Sequence, residues 1–230
     1  MNSYWAIIWF LLAAAHLLFC AFGGNVEPRA KRLGKGYTLS SVNKATVLRL
    51  ITKPLLLPML TLWYCAIADP VQGIIVAGLL LGFLGDVFLM VPTSPKLMLA
   101  GLTSFALGHV CYIIYALMGV SAQPWWIYLL LVFVYGALVL LLNPTVKKKL
   151  PKELGKAGFI YMILLCVLSA ACVLYWRSGG GALAAIGAVL FIISDYLLVG
   201  YLFGKRQRYG NFFVMLTYCA AQLLIMLSFV

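Results

Sequence analysis

The sequence predicts an all-α integral membrane protein, a single transmembrane domain over residues 1–230 built as a bundle of about eight spanning helices. Three observations predict it. The chain is 65% hydrophobic and 10% charged, with a mean hydropathy of +1.06. Soluble domains are roughly half apolar and about a quarter charged. The apolar residues come in runs near twenty residues, the length that crosses a ~30 Å hydrocarbon core as helix, and not in the ~10-residue alternating segments of an outer-membrane barrel. Finally, Lys and Arg gather in alternate connections between those runs, as in multi-pass proteins.

The first run, Tyr4–Phe22, has no basic residue before it and is long enough to span, so it reads as a helix and not as a cleavable signal. The second, Thr46–Tyr64, is the least uniform, carrying Arg49, Lys53, Pro54 and Pro58. The third, Val71–Val91, contains Asp86. The fourth, Leu97–Met118, offers Ser104, His109 and Tyr112. The fifth and sixth, Gln123–Leu142 and Ala157–Trp176, read as plain apolar spans. The seventh, Ala182–Phe203, contains Asp195 beside Ser194, and the eighth, Asn211–Phe229, carries Tyr218 and Gln222 one turn apart. The six cysteines lie in or at the ends of these runs without a C-x-x-C pair and read as small packing residues.

The basic residues then orient the bundle. Arg29, Lys31, Arg32, Lys35 and Lys44 fall between the first two runs, and Lys96 between the third and fourth. Lys147, Lys148, Lys149, Lys152 and Lys156 fall between the fifth and sixth, and Lys205, Arg206 and Arg208 between the last two. The opposite connections hold Arg177 alone. The positive-inside rule places the four basic loops in the cytoplasm and both termini on the other side. The net charge of +12 is therefore a topology signal, with attraction of anionic lipid as a second role, and it does not call for nucleic acid.

Of five acidic residues, Glu27, Asp69 and Glu153 fall in predicted loops, whereas Asp86 and Asp195 lie inside apolar helices. An aspartate at mid-helix costs about 2.5–3.5 kcal/mol on the insertion scale, so an intramembrane acid reads as functional. Both helices run inward, and both acids lie roughly 7–12 Å below the cytoplasmic boundary, where they can share one chamber. Gly78, Gly82 and Gly85 form a stripe beside Asp86 that faces a neighbouring helix, and Ala184, Ala188 and Ser194 lead to Asp195 in the same way. Asp195 follows Asp86 by 109 residues, and at that offset Gly78 falls on Gly187, Gly85 on Ser194 and Leu89 on Leu198, the pattern of a four-plus-four parallel repeat. Lys53, Ser104, His109, Tyr112, Ser194, Tyr218 and Gln222 lie at compatible depths and complete the candidate site; His16 is a weaker candidate.

Two carboxyl groups in a partly dry site cannot both ionise easily, and such a pair supplies a general acid and a general base together. The chemistry that suits it is acid-assisted cleavage of an ether-like C–O bond by water, through an oxocarbenium-like state. The chain has no G-x-S-x-G, no H-E-x-x-H and no phosphate-binding Gly-rich loop, and two histidines cannot make a three-histidine zinc site. No metal or cofactor is called for. The competing class is a proton-coupled transporter of a lipid or small amphiphile, in which buried acids also occur.

The segments TKPLLLP (Thr52–Pro58), GDVFLM (Gly85–Met90), GLTSFALGHVCY (Gly101–Tyr112), SDYLL (Ser194–Leu198) and YCAAQLLI (Tyr218–Ile225) resemble, in order, the motifs of the YhhN-like lysoplasmalogenase family. The resemblance implies a multi-helix membrane hydrolase that cleaves the vinyl-ether bond of lysoplasmalogens to a fatty aldehyde and a glycerophospho-alcohol, with the family's two aspartates at Asp86 and Asp195. The expected partners are a lysophospholipid substrate and membrane lipids, and the expected location is the bacterial inner membrane. The sequence leaves open which aspartate holds the proton.

Overall fold

The computed structural model describes residues 2–22, 44–90, 95–150, 152–203 and 209–230. They form eight α-helices in chain order: α1 (Asn2–Phe22), α2 (Lys44–Ile67), α3 (Gly73–Met90), α4 (Pro95–Met118), α5 (Trp125–Lys149), α6 (Lys152–Arg177), α7 (Ala182–Phe203) and α8 (Gly210–Ser228). Each is long and apolar enough to span a membrane, and there is no strand among the described residues. The protein is therefore a multi-pass membrane protein.

Glycine lets the closest pairs form. A Cβ on Gly108 of α4 would lie 2.9 Å from the Gly78 carbonyl oxygen of α3, so the two backbones touch there. A Cβ on Gly85 would lie 2.6 Å from the Phe105 ring. The small-residue stripe ahead of Asp86 thus faces α4, as close packing between membrane helices requires. In the same way, Gly187 of α7 lies against Ala221 and Ile225 of α8. The hydroxyl of Ser104 donates to the Leu81 carbonyl at 2.7 Å and that of Ser194 to the Val214 carbonyl at 3.1 Å, fixing α4 on α3 and α8 on α7. On the other side, α1 runs antiparallel to α2: Trp9 donates to the Leu56 carbonyl at 3.1 Å, and His16 bonds Thr52 at 2.8 Å.

One expectation changes. Lys147, Lys148 and Lys149 continue α5, and Lys152, Glu153 and Lys156 belong to α6, so these charges are helical and not in a loop. Lysine is a good helix former, and extending the helix past the apolar boundary keeps its backbone hydrogen-bonded. Lys44 likewise opens α2 and Lys96 lies in the first turn of α4. In addition, α2 is unbroken through Pro54 and Pro58. Glu27 and the remaining basic residues of the first and last basic connections lie outside the described residues.

Candidate active site

Odd-numbered helices approach one end of the bundle as even-numbered ones leave it, and all eight contribute to a cavity of about 190 Å³ at that end. Its wall is mostly apolar, from residues such as Leu89, Met98, Leu102, Leu154, Met162 and Val199. Asp86 and Asp195 both line it.

Asp86 reaches its place because Gly85 lets the α4 ring of Phe105 lie flat against the α3 backbone. The aspartate is 2% exposed. Lys53 of α2 places its Nζ 3.1 Å from Oδ1, and the Tyr218 hydroxyl of α8 donates to Oδ2 at 2.6 Å. Phe105 and Phe191 pack edge-on to the Tyr218 ring, with centroids 6.1 and 5.6 Å away, and hold the hydroxyl on its target. A buried charge survives when it is paired and its lone pairs are used, and both Asp86 oxygens are occupied.

Asp195 is provided for differently. The Tyr161 hydroxyl of α6 donates to its Oδ2 at 2.7 Å. Among the described residues no hydrogen bond reaches its Oδ1, and the residue is half-buried against the cavity. Tyr161 lies outside the candidates that the sequence supplies, because a tyrosine in GFIYMILL reads as bulk.

The other candidates divide. Lys53, Ser194 and Tyr218 line the cavity with the aspartates. Ser104, His109, Tyr112 and Gln222 are not among its lining residues. Tyr112 donates to Gln222 Oε1 at 3.0 Å, tying α4 to α8. His109 is 1% exposed and neither ring nitrogen has a hydrogen-bond partner among the described residues. Its ring packs 4.5 Å from Phe191 and 5.7 Å from Tyr161, so it backs the tyrosine that holds Asp195.

His16 lines the cavity with both nitrogens used. Thr52 gives its hydroxyl proton to the Leu48 carbonyl at 2.9 Å, so it accepts from His16 Nδ1 at 2.8 Å, which leaves Nε2 facing the Cys20 thiol at 3.4 Å. That makes His16 a neutral tautomer fixed by its neighbours. The described residues contain no group of three His, Cys, Asp or Glu side chains able to hold a metal ion.

Residues 48–229 match the model of a family described as the YhhN family. The chain is 31% identical over 183 residues to the uncharacterized membrane protein YhhN of Escherichia coli O6:H1, covering 78% of this chain and 86% of that one. The match to the protein of the same name from Shigella flexneri has the same identity and coverage. It is 27% identical over 168 residues to human lysoplasmalogenase TMEM86B, covering 73% of this chain and 68% of that one. No solved structure matches the chain significantly.

Proposed function

The chain belongs to the YhhN family, and from that premise we propose that it is a membrane-embedded hydrolase cleaving the vinyl-ether bond of lysoplasmalogen-type lysophospholipids by acid–base catalysis between Asp86 and Asp195. The observation that carries this reading is that two aspartates from different helices line one mostly apolar cavity, each held by a tyrosine. The name of the human relative, lysoplasmalogenase, supports the same substrate class.

The unequal surroundings of the two acids support a division of roles. Asp86, paired with Lys53 and bonded by Tyr218, is the ionised partner. Asp195 keeps one oxygen toward the cavity and presents the proton. The vinyl ether takes that proton on its β-carbon, and the double-bond electrons form the new C–H bond. An oxocarbenium ion results at the carbon joined to oxygen, and the Asp86 carboxylate stabilises it in a medium of low dielectric. Water adds to that carbon and gives up a proton to a carboxylate. The hemiacetal then collapses, the C–O bond to glycerol breaks, and its oxygen leaves with a proton as the alcohol. One water is consumed, one aldehyde and one alcohol form, and the acids return to their starting states.

The apolar wall fits an alkenyl chain, and the basic end of the bundle, read as cytoplasmic, suits a phosphate headgroup. The continuity of α2 supports a hydrolase over a transporter, since carriers commonly break a helix at the substrate site. The test is aldehyde release from a lysoplasmalogen by the purified protein in detergent, where vectorial transport has no meaning. Stoichiometric aldehyde and glycerophospho-alcohol are expected. No aldehyde from several vinyl-ether lipids, alongside substrate-dependent flux in liposomes, would reject the reading.

A further inference from the structure

Two side chains that line the cavity carry donors that the acid pair does not use. Arg49 lies on α2 one turn before Lys53 and lines the cavity. It is half-buried, and among the described residues no carboxylate pairs with its guanidinium. Lys53 is the cation that Asp86 takes, which leaves Arg49 a charge held near apolar side chains with no carboxylate partner among the described residues. Asn211, in the first turn of α8, lines the same cavity, and its Nδ2 is buried without a hydrogen-bond partner among the described residues. The Asn211 amide meets the Cys20 thiol, which faces His16, and Arg49 acts on that thiol electrostatically. A guanidinium with no carboxylate among the described residues, and an amide whose neighbour is a weakly accepting thiol, therefore line one cavity from two helices and can both donate to a ligand. Burying such donors costs free energy unless something fills the place.

We propose that Arg49 and Asn211 form a phosphate-binding subsite, the place where the phosphodiester of a single-chain lipid anchors. This rests on the hydrolase reading for its link to catalysis. The chemistry fits, because guanidinium groups bind phosphate oxygens through paired N–H donors. The spacing fits as well. Arg49 lies four residues before Lys53, about 6 Å along the helix axis, and Lys53 touches Asp86. The three-carbon glycerol that separates the phosphate from the ether oxygen of a lysolipid spans a similar distance. An anchored phosphate would therefore set the scissile bond beside the two acids, and the subsite would select phospholipid over neutral glycerolipid. Lys53 itself is taken by Asp86.

The experiment compares wild type with Arg49→Gln, Arg49→Lys and Asn211→Asp. Lys156→Gln is the control, since Lys156 is exposed and does not line the cavity. Kinetics are measured on a vinyl-ether lysophospholipid and on the matching phosphate-free alkenylglycerol. Arg49→Gln is expected to raise KM for the phospholipid about tenfold or more with little change in kcat, the loss of one charge-assisted contact. It should leave the alkenylglycerol unaffected. Asn211→Asp, isosteric but anionic, should do the same, Arg49→Lys should recover part of the loss, and the control should not respond. Equal effects on both substrates would overturn the subsite.

A second readout needs no turnover: thermal stabilisation by an acyl lysophospholipid, a monoacylglycerol and free glycerophosphate. Stabilisation by the lysophospholipid that disappears in Arg49→Gln supports the subsite even where no aldehyde forms, so failure of the hydrolase reading stays distinct. Equal stabilisation of wild type and Arg49→Gln would overturn it. Stabilisation by glycerophosphate alone, without any from the lysophospholipid, would overturn the lipid as its source.

Discussion

A carboxylate within a bilayer needs company, and Asp86 has a cation and a tyrosine hydroxyl, one on each oxygen. Removing one member of such a buried pair costs about 3–5 kcal/mol, since the other is left as an uncompensated charge. Lys53→Met is accordingly expected to destabilise the protein by about 3 kcal/mol. The double variant Lys53→Met/Asp86→Asn should be more stable than the sum of the single changes by about 1–3 kcal/mol. Reversible unfolding in detergent measures the cycle, and strict additivity would show that the pair is not coupled. Each member was legible from sequence as a charge in an apolar helix, where a charge demands a partner, but the sequence did not say that Lys53 takes Asp86 and does not reach water. Tyr161 was not legible to the same degree, since a tyrosine in an apolar helix carries no such demand. His109 shows the opposite limit. Its residue type drew attention, yet it sits behind Tyr161 without a hydrogen-bond partner among the described residues. The two aspartates are thus equipped differently, Asp86 with a lysine and a tyrosine and Asp195 with a tyrosine.

The helices that carry the aspartates are set by backbone contact. Gly108→Val would drive a side chain into the Gly78 carbonyl, an atom that cannot swing aside. A destabilisation of about 1–3 kcal/mol is expected, with a matching loss of activity because α3 carries Asp86. Gly136→Ala in α5 meets nothing within 4 Å and is expected to be neutral or stabilising by up to about 1 kcal/mol. Thermal unfolding of the two variants separates packing from helix propensity, and an equal response would remove the close-contact argument. The stripe at Gly78, Gly82 and Gly85 gave its face away in sequence, because three small residues on one side of a helix leave room for a neighbour. The ends of α5 and α6 were less legible. A run of lysines marks where the membrane stops, and a helix need not stop with it.

For the bundle as a whole, the number of helices follows from run length alone, and the described residues form the eight that hydropathy anticipates. The cavity is another matter. It depends on how eight helices pack side by side, and hydropathy says nothing of neighbours. Charge asymmetry is the basis for the orientation expected from sequence, basic ends in the cytoplasm and both termini outside. Single cysteines placed at Gln123, Ser178 or Lys156 in a cysteine-free background test it with an impermeant reagent on intact cells. Labelling is expected at Gln123 and Ser178 and not at Lys156, and the reverse pattern would turn the protein over and put the cavity at the outer face. The most direct measurement of the central claim concerns the two acids together. Asp86→Asn and Asp195→Asn keep the shape of each side chain and remove its capacity to hold or give a proton. Aldehyde release from a vinyl-ether lysophospholipid by each purified variant is predicted to fall at least about a hundredfold, with unfolding behaviour preserved. A folded variant of either aspartate that releases aldehyde near the wild-type rate would contradict the two-acid mechanism.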